Sequence, residues 1–457
     1  LNKTLRHILI IVGWIALWAI IAIAIGTPVV LANPAEVVVA IGQALITPAF
    51  WWSILTSLVH IAVGAVIGCV LGCVLAIGSH RWPLFGEIFQ PAIQFIKSAP
   101  IVCFIVLLLV WVGSSYVDLI AVSLAILPTF YFSTSQGFAQ IDEGRTQLCD
   151  MLAIGGLRRL RLLVIPAVRP YFLQAAKVAS GLAWKSGVTA ELVGLTGSSI
   201  GAAIYASKLT LDTASLLMWM IMTVLLGWLT EKALVKLIEA ASASTTSHAA
   251  RGYTEPEEGR KLVLPLEARG ISKAFETSLF EDFSLTVQPG SRVCVMASTG
   301  SGKTTLLNVL MGLDVPDSGQ VLVAGNPLDA PLYASVVFQD NRLFPELSAW
   351  QNAALATNRP KQEVQTMLGR LIQEEYMDAL PDQLSGGMKR CVELCRALLM
   401  DSSLVILDEP FAGLDPQTKE QAISLIQDEL HGRALFLITH DNQDAAVLGC
   451  TVTELLG

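Results

Sequence analysis

Ala297-Ser298-Thr299-Gly300-Ser301-Gly302-Lys303-Thr304-Thr305 follows the run Ser291-Arg292-Val293-Cys294-Val295-Met296 and precedes the helix-like Leu306-Leu307-Asn308-Val309-Leu310. A strand, a glycine-rich turn and a helix in that order are what a phosphate-binding loop needs. Backbone amides of the turn and the helix N-terminus surround phosphate oxygens, Lys303 reaches the terminal phosphates, and the Thr304 hydroxyl ligates a divalent cation. Ala297 stands where the loop pattern has glycine, so its methyl must be accommodated by a loop that usually has none. A small-residue turn with an incidental lysine is the plainer alternative, and the segments downstream decide between them.

The surrounding composition describes two solvents in one chain. Of the 457 residues 53% are apolar and the mean hydropathy is +0.59, high enough to expect a membrane portion. Up to residue 240 there are 14 basic and 10 acidic residues, which leaves 16 of the 30 basic and 28 of the 38 acidic residues for the remainder. A basic, apolar first half is thus joined to an acidic, water-soluble second half, with no basic footprint for nucleic acid. The eight cysteines form no CxxC pair and the six histidines are scattered, so the cysteines read as small buried hydrophobes rather than metal ligands.

Apolar runs at 7–32, 52–79, 84–112 (interrupted by Pro100), 116–138, 163–192 and 215–235 are each long enough to cross a bilayer, which predicts six crossings. The first is too long for a signal-peptide core. Basic residues collect at Arg81, at Arg145, Arg158, Arg159 and Arg161, and at Lys232 and Lys236, whereas 33–51 and 113–118 carry none. By the positive-inside rule both ends of the membrane half, with the loops 79–83 and 139–162, face the cytoplasm. Lys97, Lys177, Lys185 and Glu191 fall inside or at the edge of apolar spans, where a charge is costly unless paired, hydrated or snorkelling. They read either as a pathway for an anionic or zwitterionic solute or as structural charges. Residues 239–263 are small and polar, then charged, as in a linker, and from 264 onward short strand-like runs alternate with helical patterns, the signature of an α/β domain.

Within that domain the phosphate loop is joined by five further segments in a set order: Phe275; Gln339 after Val336-Val337-Phe338; Leu384-Ser385-Gly386-Gly387-Met388; Leu404-Val405-Ile406-Leu407-Asp408-Glu409, with Gly413-Leu414-Asp415 after it; and Ile438-Thr439-His440. The order and spacing resemble the ATPase domain of ABC transporters over essentially all of 264–457, with the loop at 297–305 as Walker A. The resemblance implies that Phe275 stacks on adenine and that Ser298, Thr299, Gly300, Ser301, Gly302, Lys303, Thr304 and Thr305 hold the phosphates of ATP. It further implies that Thr304, Gln339 and Asp408 hold Mg²⁺. Glu409 is implied as general base, Gln339 as sensor of metal and attacking water, and His440 as the γ-phosphate contact. Ser385, Gly386 and Gly387 would face a nucleotide held by a second subunit, with Asp415 crossing the dimer interface.

The cytoplasmic stretch 147–166 resembles the coupling loop of binding-protein-dependent import permeases, whose pattern is Glu-Ala-Ala, a Gly, then Ile-x-Leu-Pro. Counted back from Pro166, Gln147 stands for the Glu, Leu148 and Cys149 for the two Ala, and Ala153 for the Gly. The stretch from Leu182-Ala183-Trp184-Lys185-Ser186-Gly187 to Glu191 and Gly194 looks like permeases of the nitrate/sulfonate/taurine branch. The expectation is a helical, type I importer-like membrane domain at 1–238, a linker at 239–263 and an ABC ATPase domain at 264–457, in the cytoplasmic membrane with the ATPase in the cytoplasm. A homodimer, a separate extracytoplasmic binding protein and a small anionic solute are implied. Three alternatives stay open: an importer of a pyrimidine or thiamine-precursor vitamin, a fused exporter, and a non-transporting mechanical ATPase. Fusion of permease to ATPase is commoner in exporters, but exporter helices reach far into the cytoplasm and need a longer membrane domain than this one.

Overall fold

A computed structural model describes residues 3–249, 263–274, 278–296 and 302–454. The chain divides into two compact units, one of 1–140 with 167–241, the other of 141–166 with 242–457. The coupling stretch is therefore part of the same unit as the ATPase residues.

In the first unit α1 (Lys3–Ile25), α2 (Pro34–Leu45), α3 (Pro48–Arg81), α4 (Pro83–Ser98), α5 (Ile101–Trp111) and α6 (Val117–Ala139) precede the coupling stretch. That stretch, in the second unit, forms α7 (Glu143–Met151) and α8 (Gly156–Arg159), and a π-turn at Leu160–Val164 leads into α9 (Ile165–Gly194). The first unit then closes with α10 (Ile200–Leu209) and α11 (Thr213–Ala249). Among the described residues five helices are long and apolar enough to span a membrane by themselves. The third expected crossing is instead a broken pair, α4 and α5, bent by 104°. Pro100 has no amide to continue the helix and forces Ala99 out of helical geometry. The helix of the first expected run stops short: Gly26, at φ +69°, ends α1. A capping box between Asn33 and Glu36 starts the separate helix α2. The expected linker begins as helix, since α11 continues to Ala249, and 250–262 lies outside the described residues.

Alpha-helices α3 and α6 pack at backbone contact. A Cβ on Gly64, Gly68 or Gly72 would come within 2.6 Å of the carbonyl oxygens of Leu119, Ser123 and Leu127 respectively. Glycine at every fourth position gives one smooth helix face, the device that drives association where lipid removes the hydrophobic effect. Ser123 Oγ adds a hydrogen bond to the Gly64 carbonyl at 2.9 Å.

The second unit carries two sheets. An antiparallel sheet contains β1 (Leu266–Ala274), β2 (Ser278–Val287), β4 (Ser318–Val323) and β5 (Asn326–Pro327) in the order β2-β1-β4-β5. A parallel sheet contains β3 (Arg292–Met296), β6 (Ser335–Val337), β7 (Leu404–Asp408), β8 (Ala434–Thr439) and β9 (Thr451–Glu454) in the order β6-β7-β8-β3-β9. Strands β7 and β8 are buried along their whole length, as befits a sheet covered on both faces. The helices are α12 (Lys303–Leu310), α13 (Ala349–Ala353), α14 (Lys361–Leu368), α15 (Gly386–Leu399), α16 (Pro416–Glu429) and α17 (Asn442–Val447).

Candidate nucleotide site and coupling interface

Parallel pairing brings the chemistry to one edge. Strand β8 lies between β7 and β3, with Asp408 paired to Ile438 and Met296 to Thr439. The carboxyl ends of these strands are therefore level, and Asp408, Glu409, His440 and the loop after β3 emerge side by side, where open α/β sheets place ligands. Gly302, at φ +81°, turns the chain into α12, whose Leu306, Leu307, Val309 and Leu310 are buried. Lys303 in the first turn is thereby fixed against the sheet edge.

Lys303 Nζ lies 2.9 Å from Glu409 Oε1, and His440 Nδ1 lies 2.8 Å from Glu409 Oε2. Glu409 itself sits at φ +48°, a conformation that costs a non-glycine residue energy and marks functional turns; its amide donates to the Ile438 carbonyl at 2.9 Å. Burial pushes its carboxyl up, but the Lys303 ammonium and then His440 overcome that and hold it below the ordinary glutamate value. Asp408 is pushed the other way, up to about 6, by burial first and then by the Glu409 charge. Both Asp408 carboxylate oxygens are buried without a hydrogen-bond partner. The orphaned Asp408 oxygens at the end of β7, and Thr304 Oγ1 at 3.4 Å from Gln339 Oε1, are all-oxygen donors of the kind a hard divalent cation takes.

Not all of the expected site residues meet. Phe275, Ser298, Thr299, Gly300 and Ser301 lie outside the described residues, and Ala297 with them. Thr305 is half-buried in the first turn of α12. Ser385, Gly386 and Gly387 line a cleft of about 590 Å³ that Gln339 also borders, with Gly413 and Asp415. Among the described residues no hydrogen bond joins them to Lys303, Glu409 or His440. Ser385 caps α15, its Oγ accepting from the Met388 amide at 3.2 Å, and Asp415 caps α16 through Thr418.

Sequence reasoning missed the residues that tie Gln339 to the coupling stretch. Arg390, Glu393 and Arg396 recur at three-residue spacing on one face of α15 and grip the segment 338–342. Arg390 donates to the carbonyls of Phe338 and Gln339, the Arg342 amide donates to Glu393 Oε1 at 2.5 Å, and Arg396 donates to the Arg342 carbonyl at 3.1 Å. The Arg342 guanidinium lies over the Phe338 ring and donates to Gln147 Oε1 at 2.9 Å and to the Gly144 carbonyl at 3.3 Å. The period of three on α15 was the available signal; what it grips could not be read from it.

Helix α7 has a polar sequence, yet its Leu148 and Met151, with Leu152 after it, are buried in the same core as Phe338, Phe344, Leu347 and Leu355. Each such side chain contributes about 1.5–3 kcal/mol when fully buried. Arg158 adds a bond to the Leu355 carbonyl at 2.9 Å. Ala153, at the glycine position of the import-type pattern, has φ +52°, so the pattern's glycine answers a backbone demand that this chain meets with alanine.

The family of the chain follows from comparison. The ABC transporter profile matches residues 280–412. The profile described as binding-protein-dependent transport system inner membrane component matches 64–240. An aliphatic sulfonates import ATP-binding protein of Pseudomonas syringae pv. syringae is 36% identical over 205 residues, 44% of this chain and 71% of that protein. The chain belongs to the ABC transporter family. Other relatives of its ATPase part are a taurine import ATP-binding protein of Pseudomonas aeruginosa, 36% identical over 42% of this chain and 79% of the relative, and a nitrate import ATP-binding protein of Synechococcus elongatus, 38% identical over 40% and 74%. As an ABC transporter the chain binds ATP and couples its hydrolysis to transport, and its permease part makes it a multi-pass protein of the inner membrane.

Proposed function

We propose that two copies of this chain form an ATP-driven importer of a small anion of the sulfonate, taurine or nitrate kind, supplied by a separate extracytoplasmic binding protein. The observation that carries this reading is the seating of the import-type helix α7 in the ATPase core, with Gln147 held by Arg342. The names of the ATPase relatives point the same way. In this arrangement 1–238 is the permease, 239–263 the connection and 264–457 the ATPase.

Each chain has one phosphate loop and one Ser385–Gly386–Gly387 turn, and among the described residues no hydrogen bond joins that turn to Lys303, Glu409 or His440, so a complete site takes the turn from a second copy. Thr304, Gln339 and Asp408 would hold Mg²⁺, which when bound supplies charge neutralisation at the β- and γ-phosphates. Lys303 exchanges its Glu409 partner for the terminal phosphates. Glu409, kept ionised by its surroundings, then orients the attacking water and accepts its proton, while His440 donates to the γ-phosphate. Closure of the two ATPase domains moves the 338–342 segment, and Arg342 carries that motion to α7.

The test traps Glu409→Gln protein in lipid nanodiscs with ATP and captures extracytoplasmic partners from its own cell for mass spectrometry. A solute-binding protein retained with a sulfonate, taurine or nitrate ligand is the expected result. Wild-type ATPase stimulated by lipophilic compounds, with no binding protein retained, would overturn import in favour of export.

A further inference from the structure

The four charges in the apolar spans separate in the structure. Glu191 is fully buried, and its Oε2 accepts from the Gly201 amide at 2.9 Å. Lys97 lies over the Phe132 ring. Lys177 and Lys185, exposed as Lys97 is, have no ring beneath them among the described residues; they lie eight residues apart on one face of α9 that Gln174, Val178 and Gly181 continue. A Cβ on Gly181 would meet nothing within 4 Å. At 1.5 Å per residue, Lys177 and Lys185 stand roughly 4 and 8 Å either side of the midpoint of α9, and both fall within the apolar span Gly156–Gly194.

Other spans behave otherwise. On α3 the exposed residues Leu55, Val59 and Val63 form a wholly apolar stripe, as a lipid-facing surface requires. Among the described residues neither ammonium has an acidic partner, and unpaired ammonium groups within an apolar span do not face lipid. They do not pack dry against a copy of themselves either, since a two-fold axis would bring like charges together.

Resting on the import reading above, we propose that the Lys177–Lys185 face of α9 borders a water-filled path between two copies of the chain and selects a small oxoanion there. The lysines hold the path positive, raising the local concentration of anions and excluding cations. Lys185 meets the solute first from the outside, and Lys177 passes it toward the cytoplasmic end.

The experiment uses the full chain in proteoliposomes with Cys103→Ser, which removes the one exposed native thiol among the described residues. Lys177→Cys and Lys185→Cys are compared with Val59→Cys and Val63→Cys from the α3 stripe. Each is reacted with a methanethiosulfonate bearing a sulfonate and with one bearing a trimethylammonium group. Positions 177 and 185 are expected to react at least about tenfold faster than the valine positions, and faster with the anionic reagent as long as the other lysine is present. Rates equal to the α3 controls, or no preference for the anionic reagent, overturn the proposal.

Because the labelling needs no solute, it stands apart from the import reading: a reactive, anion-preferring face with no accumulation of taurine or nitrate sinks that reading and leaves the path intact. Should a cysteine variant fail to assemble, Lys185→Arg and Lys185→Gln are compared for uptake of radiolabelled taurine. A KM raised by Gln and restored by Arg supports the path, and equal KM values refute it.

Discussion

Glu409 holds Lys303 and His440 at once, 2.9 and 2.8 Å from its carboxylate. A group that is nine-tenths buried and still ionised is poised to take a proton only when its cation is drawn away by phosphate. Glu409→Gln keeps the shape and a hydrogen-bond acceptor but removes the base, so hydrolysis should fall at least about a hundredfold, the lower range for general-base loss, with ATP binding preserved. Purified variant turning over at the wild-type rate would remove Glu409 from that role. Ala153 offers a second test at this scale. Its φ of +52° is strained for alanine, so Ala153→Gly should stabilise the ATPase unit by about 1 kcal/mol, the left-handed penalty less the added chain entropy. Denaturant melts of the two proteins measure it directly.

Helix α7 is held by apolar burial and by one guanidinium. Arg342→Ala leaves Leu148 and Met151 to hold α7 in place but unties Gln147 and the Gly144 carbonyl. ATP hydrolysis should persist while the solute moved per ATP falls several-fold, because the link runs between elements rather than through the reacting atoms. An unchanged transport-to-hydrolysis ratio would assign Arg342 a packing role alone. In the membrane unit the glycine face of α3 leaves no room: a Cβ on Gly68 stands 2.6 Å from a backbone oxygen. Gly68→Leu must push α3 and α6 apart, and it should cost about 1–3 kcal/mol or more, seen as a lowered melting temperature of the detergent-solubilised protein.

For the whole molecule the question is whether one chain completes a site. If Ser385 serves the partner's nucleotide, a Lys303→Ala chain mixed with a Ser385→Arg chain forms dimers with one intact site, although neither variant is active alone. Co-purified mixed dimers should recover a substantial part of the wild-type ATPase rate. No recovery in dimers shown to contain both chains would place Ser385 in the site of its own chain.

Motifs and spans were legible in the sequence because their causes are local. Phosphate loops need glycines and a lysine at fixed offsets, bilayers need about 20 apolar residues, and Asp408-Glu409 end a run too apolar to be anything but a buried strand. Tertiary structure decided what depends on partners distant in the chain. Strand order put β7 and β3 on either side of β8, which is why Lys303 meets Glu409 across 106 positions of sequence. Folding grouped 141–166 with the ATPase residues, since a helix with only three buried apolar positions takes its place from the surface that covers them. It also sorted the intramembrane charges, burying Glu191 against an amide and leaving Lys177 and Lys185 exposed, because hydropathy counts a charge without saying which way its side chain faces.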